Sequence, residues 1–235
     1  NEDRLPGQGY ATYHLKVKLR DTDPLLGLRI SCMSTAYRLY INDTLMAGNG
    51  KISTSEEGSE PEYNPQTVVF EPPADEFDII VQVSNYIYAR GGLWYDIEFG
   101  TAEQIREYES YLKYRDGIVI GVLSIMAIYF FCCFIMFRGD RKGFSFRFCF
   151  SFMLMCLILI VRTSLYGDYL IIRLFPDISF RLLIWISYLT LFWFPVVLYQ
   201  MIEFYLNQSK ERTKAMPFYY YAAVMSLITA VIPVS

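Results

Sequence analysis

The sequence predicts an all-β sandwich of jelly-roll type over residues 1–100, a juxtamembrane helix over 101–116, and an α-helical transmembrane bundle over 117–235. Three observations predict it. The first hundred residues break into short alternating segments separated by turn residues, with almost no helical periodicity. Four apolar stretches follow, each long enough at roughly 1.5 Å per residue to cover the ~30 Å hydrocarbon thickness of a bilayer. The charge also divides: residues 1–100 carry 8 Lys and Arg against 15 Asp and Glu, a balance of −7, while residues 101–235 carry 13 against 9, a balance of +4.

The first strand is read from YATYHLKVKL, where Tyr13, Leu15, Val17 and Leu19 fall on one face and Thr12, His14, Lys16 and Lys18 on the other, the pattern of a half-buried strand. Further strands are expected at Leu26–Ser31, Ala36–Ile41, Thr44–Ala47, Thr67–Phe70, Phe77–Ser84 and Leu93–Phe99. Asn42-Asp43 reads as a tight turn and Gly48-Asn49-Gly50 as the close of the fourth strand. The acidic stretch Ser53–Pro65 is the longest irregular connection and is expected to be a flexible rim. Its carboxylates, with those running on to Asp78, have no spacing that fits a cation-binding loop, and a solvated acidic face is the simpler reading.

Thr101-Ala102-Glu103-Gln104 has the spacing of a capping box, and Ile105, Tyr108, Tyr111 and Leu112 repeat at helical intervals, with Glu109 and Lys113 placed to pair. A helix starting here is either a stiff rod into the membrane, with Gly117 as its bending point, or a spacer docked on the head. The four spans are Gly117–Phe137, Phe144–Tyr166, Leu182–Ile202 and Met216–Val234. Only the second holds charges, Arg147 and Arg162, at the ends of an uncharged centre where long side chains snorkel. Gly117 and Gly121 permit close helix contact and a homodimer, Pro195 is expected to kink the third span, and Tyr114, Trp185 and Tyr219 suit interfacial anchoring.

Orientation follows from the basic residues. Arg138, Arg141 and Lys142 lie between the first and second spans, with Arg147 at the adjoining end of the second, and Lys210, Arg212 and Lys214 lie between the third and fourth. The positive-inside rule puts both links in the cytoplasm and the sandwich outside. An acidic head has no attraction for nucleic acid. Cys32 is the sole cysteine of the head, so no disulfide framework is expected there. Asn1–Gly9 holds no apolar leader and the sequence has no initiating Met, which suggests a chain continuing upstream. His14 is the only histidine, and no triad, phosphate-cradling loop or histidine metal site is present in the sequence, so no catalytic residue, cofactor or metal is expected.

Ala36–Pro72 and Ile79–Ile105, followed by Phe137–Phe152 and Val161–Tyr199, resemble the galactose-binding-like jelly roll and first three spans of bacterial seven-transmembrane receptors with diverse intracellular signalling modules. The resemblance implies a multi-pass protein of the bacterial plasma membrane. Its extracellular domain would bind a small molecule, a carbohydrate among the expected classes, and its helices would signal to a cytoplasmic kinase or cyclase. Only four of seven spans and no output module lie in this sequence, which points to a partial receptor. Sandwiches of this kind hold a sugar on aromatic and polar side chains. The candidates are Tyr37, Tyr40, Asn42, Asn85, Tyr88, Arg90 and Trp94, with Tyr86 and Tyr95 beside them. Two other roles stay open, a substrate-capturing component of a transport or export system and a membrane-attached adhesion or assembly module. Span centres nearly free of polar groups favour sensing over transport.

Overall fold

The structure, a computed structural model, describes residues 8–20, 25–87, 92–93, 95–139, 144–167, 169–206 and 216–231. The chain divides into two compact units, Asn1–Ser110 and Tyr111–Ile232. The first unit therefore includes the opening turns of the helix that the sequence assigns to a separate juxtamembrane segment.

Among the described residues, seven strands form the first unit: β1 (Gly9–Lys18), β2 (Leu26–Ile30), β3 (Ala36–Ile41), β4 (Thr44–Asn49), β5 (Gln66–Phe70), β6 (Glu76–Asn85) and β7 (Ile97–Thr101). They make two antiparallel sheets, one ordered β1-β6-β3-β4 and one ordered β5-β2-β7. Alternation decides which side chains meet between them. Leu26, Leu28 and Ile30 of β2 pack with Tyr37, Leu39 and Ile41 of β3 and with Phe77, Ile79, Val81 and Val83 of β6 in one buried cluster. Cys32 is buried and forms no disulfide. The Asn42-Asp43 turn joins β3 to β4, with Asn42 at φ 49° and its side-chain oxygen accepting the Asp78 amide at 2.9 Å. Asparagine tolerates that left-handed backbone better than most residues.

The acidic connection is tied down, contrary to expectation. Lys51 pairs with Glu60 and Thr35 with Glu62 as bridges, Glu62 Oε2 accepts the Gly50 amide at 2.8 Å, and Asn49 donates to the Glu62 carbonyl at 3.0 Å. Beneath it, the Ser84 hydroxyl contacts Ser59 Oγ at 3.0 Å and accepts the Ser53 amide at 3.2 Å. These bonds satisfy backbone groups that a turn-rich stretch otherwise leaves to water.

On the far side of the three-stranded sheet, α1 begins. The capping box forms as the sequence predicts, with the Gln104 amide donating to Thr101 Oγ1 at 3.2 Å and the Thr101 amide to Gln104 Oε1 at 3.0 Å. Its first turns are docked on the sheet. Ala102 and Ile105 are buried over Gly27, the Arg29 guanidinium sits 5.6 Å from the Tyr108 ring centre, and Thr67 donates to Glu109. Glu109 thus serves the docking contact. No residue separates β7 from α1, and α1 runs unbroken through Gly117 to Met136 (Ala102–Met136).

The second unit contains the rest of α1 with α2 (Phe144–Leu165), α3 (Leu170–Leu174), α4 (Phe180–Leu206) and α5 (Met216–Val231). Three segments, Ala102–Gly139, Ser145–Leu165 and Phe180–Leu206, are long and apolar enough to cross a membrane; Met216–Val231 is a shorter apolar helix. Aromatic stacking joins α1 to α2, with Phe130 on Phe152 at 4.1 Å and Phe134 on Phe146 at 4.5 Å between ring centres. Arg147 lies 4.4 Å over the Phe204 ring and Arg162 lies 5.2 Å over the Tyr166 ring, so both charges of α2 rest on aromatic faces. Trp185 and Tyr219 bind helix to helix: Trp185 donates to the Ser226 carbonyl at 3.1 Å, and Tyr219 donates to Gln200.

Candidate functional site

The sandwich is closed along one side and open along the other. At β4 and β5, the Gln66 amide bonds both backbone groups of Gly48, accepting from its N–H at 3.1 Å and donating to its C=O at 2.9 Å. At β1 and β7 nothing comparable joins the sheets among the described residues. Pairing of Tyr13 with Val81, Leu15 with Ile79 and Val17 with Phe77 turns the apolar face of β1 toward the core side. Val17 and Leu19 are covered there, but Tyr13 stays 46% and Leu15 60% exposed. Among the described residues, the second sheet has three strands and ends at β7, and none of its strands covers them.

The result is a cleft of ≈ 390 Å³, within the ~300–1,000 Å³ of small-molecule sites. Buried Leu28, Ile79 and Val81 lie at its floor, and Tyr13 and Leu15 line the β1 side. Leu93, Tyr95, Ile97 and Phe99 line the opposite side, with Tyr95 42% and Phe99 43% exposed. His14 and Asp96 are the ionisable side chains at its edge besides the tyrosines. His14 Nε2 lies 2.9 Å from Asp78 Oδ1, and the neighbouring Lys16 Nζ lies 2.8 Å from Glu76 Oε1. The hydrogen bond to Glu76, then the charges of Glu76 and Asp78, raise the Lys16 pKa. Asp96 makes no hydrogen bond or ion pair with the described residues.

Of the residues expected at a ligand site, the described ones other than Tyr95 lie away from the cleft. Tyr37 shares inward parity with Leu39 and Ile41 and is fully buried in the core; burial raises its pKa well above the ordinary tyrosine value. Its hydroxyl and Oδ1 of its cross-strand neighbour Asn49 are buried without a hydrogen-bond partner. Tyr40, of opposite parity, is half-buried on the other face. Asn42 holds the turn beside Asp78, while Asn85 is buried seven positions further along β6, roughly 23 Å away at ~3.3 Å per residue. Tyr88, Arg90 and Trp94 lie outside the described residues. Tyr86 is half-buried after β6, and of the six described candidates only Tyr95 is among the residues lining the cleft. The readable signal for the others was aromatic residues on the inward parity of the two terminal strands, β1 and β7. Among the described residues, no three histidine, cysteine or carboxylate groups converge as a metal would require.

No protein-family model and no curated protein matches the chain.

Proposed function

We propose that the chain is the sensing portion of a multi-pass membrane receptor, in which the sandwich binds a small molecule outside the cell and the helices carry the change inward. One observation carries this reading: the ligand-sized cleft has β7 as a wall, and β7 becomes α1, the helix of the first apolar span, with no intervening residue. The crossing strand order of both sheets supports the jelly-roll assignment, and α5 supports a fourth span. Bacterial origin, placement of the head outside and coupling to a cytoplasmic signalling module rest on the basic links and on the receptor resemblance. The reading assigns no catalysis to this part.

Screening small molecules against the whole chain in lipid nanodiscs tests it. A ligand should raise the melting temperature of the sheet-rich unit, and Leu15→Trp, which fills the cleft from an exposed position, should remove that shift. A shift that survives Leu15→Trp, or none from any compound, refutes the cleft. Membrane-impermeant thiol labelling in intact cells should modify Lys51→Cys and spare Arg138→Cys; the reverse would place the head in the cytoplasm.

A further inference from the structure

Resting on the cleft as the ligand site, we infer that its ligand is an organic cation with an apolar body, such as an aromatic or alkyl amine, and that Asp96 is the counter-ion. The floor of Leu28, Ile79 and Val81 offers no hydrogen bond from its side chains, so a molecule carrying hydroxyls around its whole edge would leave them unsatisfied there. A carbohydrate fits such a surface poorly. The cleft's charges select further. His14 Nε2 is engaged by Asp78, and the Lys16 cation is matched to the Glu76 carboxylate. Among the described lining residues, Asp96 is the one that brings a carboxylate to the cleft, and it makes no hydrogen bond or ion pair to the described residues. Tyr13, Tyr95 and Phe99 add ring faces whose negative quadrupole attracts a cation and repels an anion. The −7 balance of residues 1–100 raises the local concentration of cations around the whole head.

The test uses the full chain in nanodiscs and four probes: phenethylamine, the near-isosteric phenethyl alcohol, the anion hydrocinnamate, and galactose. Calorimetry should show the amine binding about tenfold more tightly than the alcohol, the size of a cation–π and carboxylate contact at a half-exposed site. Hydrocinnamate and galactose should bind more weakly than the alcohol. Asp96→Asn, at an exposed position, should bring the amine to the level of the alcohol while leaving the alcohol unchanged, and Leu15→Trp should abolish both. Equal affinity for amine and alcohol, or an amine preference that survives Asp96→Asn, overturns the cation assignment while alcohol binding sensitive to Leu15→Trp keeps the cleft. Galactose binding that Leu15→Trp removes, with no amine binding, also overturns the ligand class but not the site. Failure of all four probes, or binding indifferent to Leu15→Trp, overturns the site and this inference with it.

Discussion

Substituting Gly27 by valine tests how the helix is seated on the head. A Cβ at this position would lie 2.9 Å from Ile105 Cγ1, 3.1 Å from Ile105 Cβ and 3.4 Å from Ala102 Cα. The first contact is closer than carbon atoms tolerate, and Ile105 is only 4% exposed, so it cannot swing aside without leaving its site. Overpacking of this kind costs about 1–3 kcal/mol. Valine suits a strand better than glycine and returns roughly 0.5–1 kcal/mol, leaving a net loss of about 1–2 kcal/mol. For a unit of this size, that lowers the melting temperature by roughly 5–15 °C. The assay is thermal unfolding of the full chain in nanodiscs, followed by β-sheet circular dichroism. The coupling can be isolated by repeating Gly27→Val in an Ile105→Ala background, where the shortened side chain should accept the valine at a smaller cost. An equal loss in both backgrounds, or a melt shifted by less than about 1 °C, would refute the seating of Ile105 over Gly27.

Three further outcomes are expected. Burial pushes the Cys32 thiol from 9.0 up to about 12, against hydrogen bonds to Ser34 and Tyr63 that pull it down. The folded head therefore holds a proton that the unfolded chain releases first; this contribution is full below pH 9.0 and declines as pH rises toward about 12. Urea unfolding across that range should show a shallower alkaline loss for Cys32→Ala, with a residual slope from Tyr37, and an unchanged slope would contradict the burial. Gly167 sits at φ 70°, where an added Cβ would also collide with the Asp116 carboxylate. Gly167→Ala should destabilise the helical unit by about 1–2 kcal/mol, and an unaltered SDS-unfolding midpoint would argue against that loop conformation. Ser226 Oγ accepts from Trp193 Nε1 at 3.2 Å and donates to the Ala222 carbonyl at 2.6 Å. Ser226→Ala should cost about 0.6 kcal/mol, typical of one hydrogen bond between apolar helices, and should alter Trp193 fluorescence; no change in either would separate α4 from α5 at this point.

Local chemistry made much of the fold legible. Parity and turn residues placed β2, β3, β5 and β6 within a residue or two at each end, and Thr101 and Gln104 announced the start of α1 by reciprocal bonding. Alternation shows which way a side chain points, but not whether another layer lies opposite. Tyr13 and Leu15 point inward as read, yet the three-stranded sheet stops short of them, and that missing cover forms the cleft. The sugar-site candidates were chosen by side-chain chemistry. Tyr37 went instead to the core because its parity matches Leu39 and Ile41, and Asn42 and Asn85 were divided between the ends of β6. Leu93–Phe99 read as strand, but pairing begins only at Ile97, so Leu93 and Tyr95 are carried in the approach to β7. Trp185 and Tyr219 carry polar tips that suit a membrane surface, and their hydrogen bonds to Ser226 and Gln200 on the facing helix are not readable from spacing. Five-residue α3 is too short to leave a periodic trace.

The pair of hydrogen bonds between Gln66 and Gly48 gives the sandwich a spine. One edge of the two layers is thereby stitched by a side chain that imitates a backbone partner, and the cleft lies at the opposite edge. If, as proposed, a ligand prises that unstitched edge apart, Phe99, two residues from the cap of the helix, would be displaced more than the stitched margin.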